Sequence, residues 1–315
     1  MAVLLAHADR WGVVRELGIA KLTDLTGLNQ ERLRAHLFKL SEMGFISHKL
    51  PGFSSWPLMG KWGSVYFLNL HHPDLRQAYP ASSIAVMDSR DECGRCRQTE
   101  AGLIVGRAVF QSGQGFAWSH SERGFLGQPS EDCVSDDLAR YFLPPVRIDE
   151  AAVTVALQFV LNELASSLLS THWCSLERVT VDDELRKSVR NLLKPSKRCE
   201  LPMERIDLML GQAAIALARR VQGMLKPFTE LALEACDYRL LPAPALGMAG
   251  WDGGQRCVLI RPKNGEPIPA VFVCGESVEH SPTRYELEQY PWLSSPLLTV
   301  PKPLTRYGRK SPAGR

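Results

Sequence analysis

No segment of this sequence offers an uninterrupted apolar run long enough to cross a bilayer. The most apolar stretch, residues 151–169, carries Gln158, Asn162 and Glu163 near its middle, whereas a spanning helix needs about 20 mainly apolar residues. Its apolar positions Val153, Leu157, Val160, Leu161, Leu164 and Leu168 instead follow helical spacing, with Asp149 placed to cap the start. A buried core or dimer helix is expected there, and no membrane partner. The opening residues, MAVLLAHADRWG, place no basic segment ahead of an apolar one, so no signal peptide is read. The eight cysteines follow no framework spacing, and a reducing cytoplasm with free thiols is the expected setting.

Catalytic signatures are missing too. There is no His-Glu-x-x-His, no nucleophile elbow and no Gly-Lys-Ser/Thr phosphate loop; the glycine-rich run GMAGWDGGQR (247–256) reads as turn residues. No enzyme is expected from this. A single Cys-x-x-Cys occurs, Cys93 and Cys96, a spacing shared by zinc ligands and thiol redox pairs. Zinc is the cofactor it would take, completed by His71, His72, His120 or Cys133. Two cysteines in an ordinary loop is the plainer reading, and a zinc- or thiol-dependent sensor is kept as an alternative.

Excess charge is scarce, and its place is informative. The chain carries a net +3. Residues 1–72 hold eight basic and five acidic side chains, and the rest holds 29 of each, so the whole excess lies at the start. An anionic partner for that segment is the natural inference. A second basic run, Arg186, Lys187, Arg190, Lys194, Lys197 and Arg198, reads more simply as a solvated helix end.

By texture the chain divides into four. Residues 1–75 read as helices followed by strands. Residues 76–245 read as a mainly helical region for dimerisation, effector sensing or docking of a protein partner. Residues 246–295 form a small segment whose two β-rich runs flank Asn264-Gly265, a hairpin signal, and residues 296–315 a basic, flexible tail. Within the helical region, helices are expected over 149–169 and 202–226, the latter with Ile206, Leu210, Ala213, Leu217, Val221 and Leu225 on one face. These two are the expected dimer interface.

The first 75 residues are the most legible. The spacing predicts a helix over 2–15, with Val3, Leu4, Trp11 and Val14 on one face, and a short helix in 19–27 burying Ile19, Leu22 and Leu25. Gly27 supplies a permissive corner and Asn29 a helix cap. In the helix over 29–43, Leu33, Leu37 and Leu40 form the core stripe, leaving Gln30, Arg34, Phe38 and Ser41 outward and Arg32 and Lys39 on the flanks. After Gly44, FISHKL and SVYFLNL have strand composition and are expected to pair across the loop PGFSSWPLMGKWG.

That order resembles the winged helix-turn-helix DNA-binding domains of MarR- and ArsR-type regulators. The resemblance rests on Gly27, Leu28, Leu33, Leu37, Leu40, Gly44, Phe45 and Ile46 and covers roughly 70 of the 315 residues; Thr23 departs from it, standing where Ala is commoner. It implies an α+β chain: an N-terminal winged helix-turn-helix, then a mainly helical region with a C-terminal β-hairpin. Double-stranded DNA is the implied partner and a homodimer the implied state, because one recognition helix reads few base pairs. A transcriptional regulator is the implied function, with a replication or DNA-processing factor of a mobile element as the alternative. The implied contacts are Asn29, Gln30, Arg32, Arg34, Phe38 and Lys39 on the helix, with Lys49 and Lys61 flanking the wing and Trp56 and Trp62 buttressing it. Gln30 suits adenine, Arg34 guanine, and Arg32 and Lys39 phosphates. Against this stands a protein-contact role for the wing, and Glu31, which repels phosphate unless it reads cytosine.

Overall fold

The computed structural model describes residues 1–56, 58–70, 72–76, 83–88, 99–111, 138, 141–142, 150–196, 200–228, 232–241, 255–264, 270–275 and 283–286. Cys93, Cys96, Asp149 and the basic tail lie outside them. Among the described residues the architecture is α+β, with helices and sheets of three, five and two strands.

The chain opens with α1 (Ala2–Ala6) and reaches β1 (Val13–Val14) before α2 (Ile19–Thr26) and α3 (Gln30–Glu42). The expected helix over 2–15 is therefore only five residues long. Its apolar spacing was sufficient for a helix, but turn chemistry wins at its centre. The Asp9 carboxylate accepts hydrogen bonds from the backbone amides of Trp11 and Val13, 2.9 Å each. Gly12 sits at φ +79°, where a Cβ would lie 2.7 Å from the Leu68 carbonyl oxygen. The two β-branched residues beyond then extend as a strand.

After α3 come β2 (Ile46–Leu50), β3 (Phe53–Trp56), β4 (Gly60–Trp62) and β5 (Val65–Leu68). β5 lies between β1 and β2, antiparallel to both, with Val13 opposite Phe67 and Lys49 opposite Tyr66. Leu4, Val14, Leu17, Leu22, Leu33, Leu37, Ile46, Tyr66 and Leu68 close into one small core under α2 and α3. The pairing expected between the two β-rich runs is present. A separate hairpin, β3 with β4, occupies the loop between them.

β2 also carries a buried imidazole. His48 is 8 % exposed and stands edge-on to Phe67, ring centroids 6.0 Å apart. Burial disfavours its charged form and pulls it down to about 4. The unfolded chain, titrating near 6.5, then binds more protons between those limits, so stability is full above about pH 6.5 and falls as pH drops toward 4. Urea unfolding should show a loss of about 3 kcal/mol across that window. In His48→Leu this part of the acid limb should flatten; an unchanged slope would exclude His48 as its source.

The remainder builds a five-stranded sheet. α4 (Pro73–Arg76) leads to β6 (Ser83–Asp88), α5 (Glu100–Gln111), α6 (Glu150–His172), α7 (Asp183–Leu193) and α8 (Met203–Leu225), then β7 (Cys236–Leu240), β8 (Gln255–Pro262), β9 (Ala270–Gly275) and β10 (Thr283–Glu286). The strand order is β10-β9-β6-β8-β7, with β6 parallel to β9 and every other pair antiparallel. The hairpin expected around Asn264-Gly265 does not form, because β6 lies between β8 and β9 and pairs with both. The turn signal was local, and a strand from about 170 residues earlier displaced the pairing it suggested. The boundary expected at 245/246 consequently runs through a single sheet.

The two long helices are core elements. α6 is long and apolar enough to cross a membrane by composition, yet most of it is buried in the chain. It packs against α8 and β7, and the buried faces of both helices belong to one core that includes Val160, Leu164, Leu210 and Leu217. The apolar faces expected at a dimer interface are thus spent within the monomer.

The polar residues interrupting α6 explain its placement. Gln158, Asn162, Ser166 and Ser170 recur every four residues on one face of the helix. Ser166 and Ser170 hydroxyls accept hydrogen bonds from the Leu240 and Tyr238 amides, both 2.9 Å. The Asn162 amide donates to the Leu241 carbonyl at 3.2 Å, and Gln158 accepts from the Ala101 amide, near the start of α5, at 3.0 Å. The helix thereby satisfies the outer edge of β7, which would otherwise leave buried donors unpaired.

Candidate nucleic-acid interface

α3 is built to present one face. Asn29 caps it, its side-chain oxygen accepting from the Arg32 amide at 2.9 Å. Gly27, at φ +66°, makes the corner from α2. Leu33 and Leu37 are buried against the small core, which leaves Gln30, Arg32, Arg34, Phe38 and Lys39 exposed. Gln30, Arg34 and Phe38 follow one another at four-residue intervals and share a stripe along the outer surface.

The charges along this helix are ordered. Glu31 lies in the first turn and Lys39 in the last, each favourable to the helix dipole. Between Glu31 and Glu42 the ionisable side chains are Arg32, Arg34, His36 and Lys39, all exposed. The middle of the outer face is therefore cationic with one aromatic, while the acids stand at the ends. This gives Glu31 a structural reason independent of any base contact. Asn29, by contrast, commits its oxygen to the cap.

The structure does not bring Lys49 and Lys61 onto a free wing. Lys49 is exposed on β2, its Nζ 5.9 Å from the Tyr66 ring centroid. Lys61 is exposed on β4, but the hairpin it belongs to is docked. Trp56, Leu58 and Met59 are each 0 % exposed and belong to the larger core that α6 and α8 share. A Cβ on Gly60 would come within 3.0 Å of the Lys194 carbonyl oxygen beyond α7. Trp62 stands edge-on to Phe159 of α6, centroids 5.7 Å apart. Both tryptophans thus join the hairpin to the larger core, a different task from buttressing a projecting tip. The apolar tip residues of SWPLMG were the visible signal, since a solvent-facing tip is ordinarily polar.

An ionic cluster fixes the N-terminal unit in the same direction. Glu163 of α6 pairs with Arg15 and with Arg239 of β7, whose Nη1 donates to it at 2.7 Å. Asp9 lies 3.8 Å from Arg239, Arg10 pairs with Asp237 at 2.9 Å, and Glu16 pairs with Lys194. Arg15 also lies over the Phe159 ring, 5.3 Å from its centroid. Burial is the largest influence on Arg239 and pulls its guanidinium below the ordinary arginine range, with Glu163 opposing. In the basic run expected to be solvated, Lys194 and Arg190 are exposed, and each also makes an ion pair, Lys194 with Glu16 and Arg190 with the buried Asp207.

Sequence reasoning missed this clamp because Arg15, Glu163 and Arg239 meet only after folding. Among the described residues no group of three or more His, Cys, Asp or Glu is placed to hold a metal ion; the Cys93 and Cys96 candidates lie outside those residues. No protein-family model matches the chain, and no curated protein or solved structure matches it either.

Proposed function

We propose that this chain is a duplex-DNA-binding protein, a transcriptional regulator, that places α3 in the major groove. The observation that carries the reading is an arrangement. A helix, a short strand, two helices joined at Gly27 and a strand pair close into the β1-β5-β2 sheet, leaving α3 with a cationic outer face. This is the order of a winged helix-turn-helix. A groove about 12 Å wide admits one such helix. Arg34 then addresses guanine, Gln30 adenine, and Arg32 and Lys39 the phosphates. The wing of this reading is held against the core of α6 and α8 rather than extended, so α3 carries most of the contact. A homodimer would bring two such helices to half-sites about 34 Å apart, through surfaces other than the buried faces of α6 and α8.

Selection from random duplexes, followed by affinity measurement at two salt concentrations, tests it. Arg34→Ala should weaken the selected site about 5- to 150-fold, the equivalent of about 1–3 kcal/mol, and relax its preferred base. Lys39→Ala should weaken all sequences alike and lower the salt slope by about one. Unchanged affinity and slope in both variants would remove α3 from the DNA.

A further inference from the structure

One feature of α3 is left over by phosphate and guanine contacts. Phe38 is 66 % exposed, the most exposed of the large apolar side chains among the described residues. It sits one turn beyond Arg34 on the same stripe, with His36 and Lys39 close by in sequence and also exposed. Leu33 and Leu37 already fill the inward positions, so Phe38 contributes nothing to the core that holds α3. An exposed aromatic ring gains free energy when its apolar surface is covered, and a cationic surround favours an anionic partner.

Those two requirements together point away from a second copy of this chain. α3 carries three cations, Arg32, Arg34 and Lys39, against two acids, Glu31 and Glu42, a balance that favours a polyanion over a second copy of the same net-cationic face. They point toward the floor of a DNA groove, where phosphates line the walls and the apolar group presented by a base is the thymine 5-methyl. Resting on the major-groove reading of α3 given above, we propose that Phe38 is a specificity residue that packs on a thymine methyl. Four residues of helix advance about 6 Å, and base pairs repeat every 3.4 Å along the duplex. The thymine therefore lies within about two base pairs of the guanine addressed by Arg34.

The test uses the full chain and its selected duplex. Each thymine is replaced singly by deoxyuridine, which deletes the methyl and leaves every hydrogen-bonding group in place. The wild type should lose about 3- to 10-fold affinity at one thymine, consistent with the burial of one methyl group, and should tolerate uracil elsewhere. Phe38→Ala should bind the thymine and uracil duplexes equally, while Phe38→Leu keeps part of the preference. Wild-type indifference to uracil at every position, with Arg34→Ala still impaired, overturns the thymine contact and leaves the DNA reading standing. If no duplex is bound at all, both fall together. A Phe38→Ala variant that shifts a monomer–dimer equilibrium in sedimentation, with DNA affinity unchanged, also overturns the proposal and assigns the ring to self-association.

Discussion

Glu163→Ala should cost about 3–5 kcal/mol of stability, because it strands a buried guanidinium. The Glu163 and Arg239 side chains are each 8 % exposed, and Asp9, at 3.8 Å, is the acid left near Arg239 once Glu163 is gone. Arg15 loses the same partner but is 35 % exposed and can turn to water, so it adds little. The double variant Glu163→Leu with Arg239→Met removes both charges together. It should be more stable than Glu163→Ala, since replacing a buried pair by apolar side chains is often neutral. Urea unfolding of the three proteins decides this. A double variant no more stable than Glu163→Ala would show that the stranded guanidinium is not what makes Glu163→Ala costly. Hydrogen exchange in β1 and β5 should accelerate in Glu163→Ala, because Arg15 lies next to β1 and the clamp holds that side of the N-terminal unit.

Trp56→Ala should be similarly severe, about 3–5 kcal/mol, by opening a cavity where an indole is fully enclosed. Trp56 shares the larger core with Leu58 and Met59, all at the tip of the β3–β4 hairpin. Losing the indole should undock the tip as well as thin the core. Phe38 is the internal control: an aromatic 66 % exposed on the same unit. Phe38→Ala should change stability by no more than about 0.5 kcal/mol. Thermal unfolding of both variants is a direct comparison. Equal shifts would contradict the docking of the hairpin.

What was readable from the residues was local and periodic. The leucine stripe of α3, its Asn29 cap, the Gly27 corner and the strands on either side of the loop all appear close to their expected bounds. So do α6 and α8, expected over 149–169 and 202–226 and found at 150–172 and 203–225. In each case the signal was a helical period over several turns or a turn residue with one favoured conformation. Two expectations failed where that logic met competition. Asp9 and Gly12 ended a helix whose apolar spacing looked sound. A hairpin signal at Asn264 yielded to β6, because pairing with a distant strand builds a larger sheet than a two-stranded ribbon supports.

By itself, the sequence determined the apolar stripe of α3, its cap and corner, and the extent of α6 and α8, since these follow from side-chain period and backbone preference within a few residues. It therefore determined that α3 exposes Gln30, Arg34 and Phe38. Leu25, expected inward on α2, is instead 46 % exposed. Only the tertiary structure decided what covers what. The polar stripe from Gln158 to Ser170 seals a sheet edge, the hairpin at Trp56 turns inward, and Glu163 gathers Arg15 and Arg239 across some 220 residues of chain. Each depends on the burial of a group whose partner is remote in sequence. A carboxylate becomes a clamp only when folding removes it from water beside the cations that meet it there.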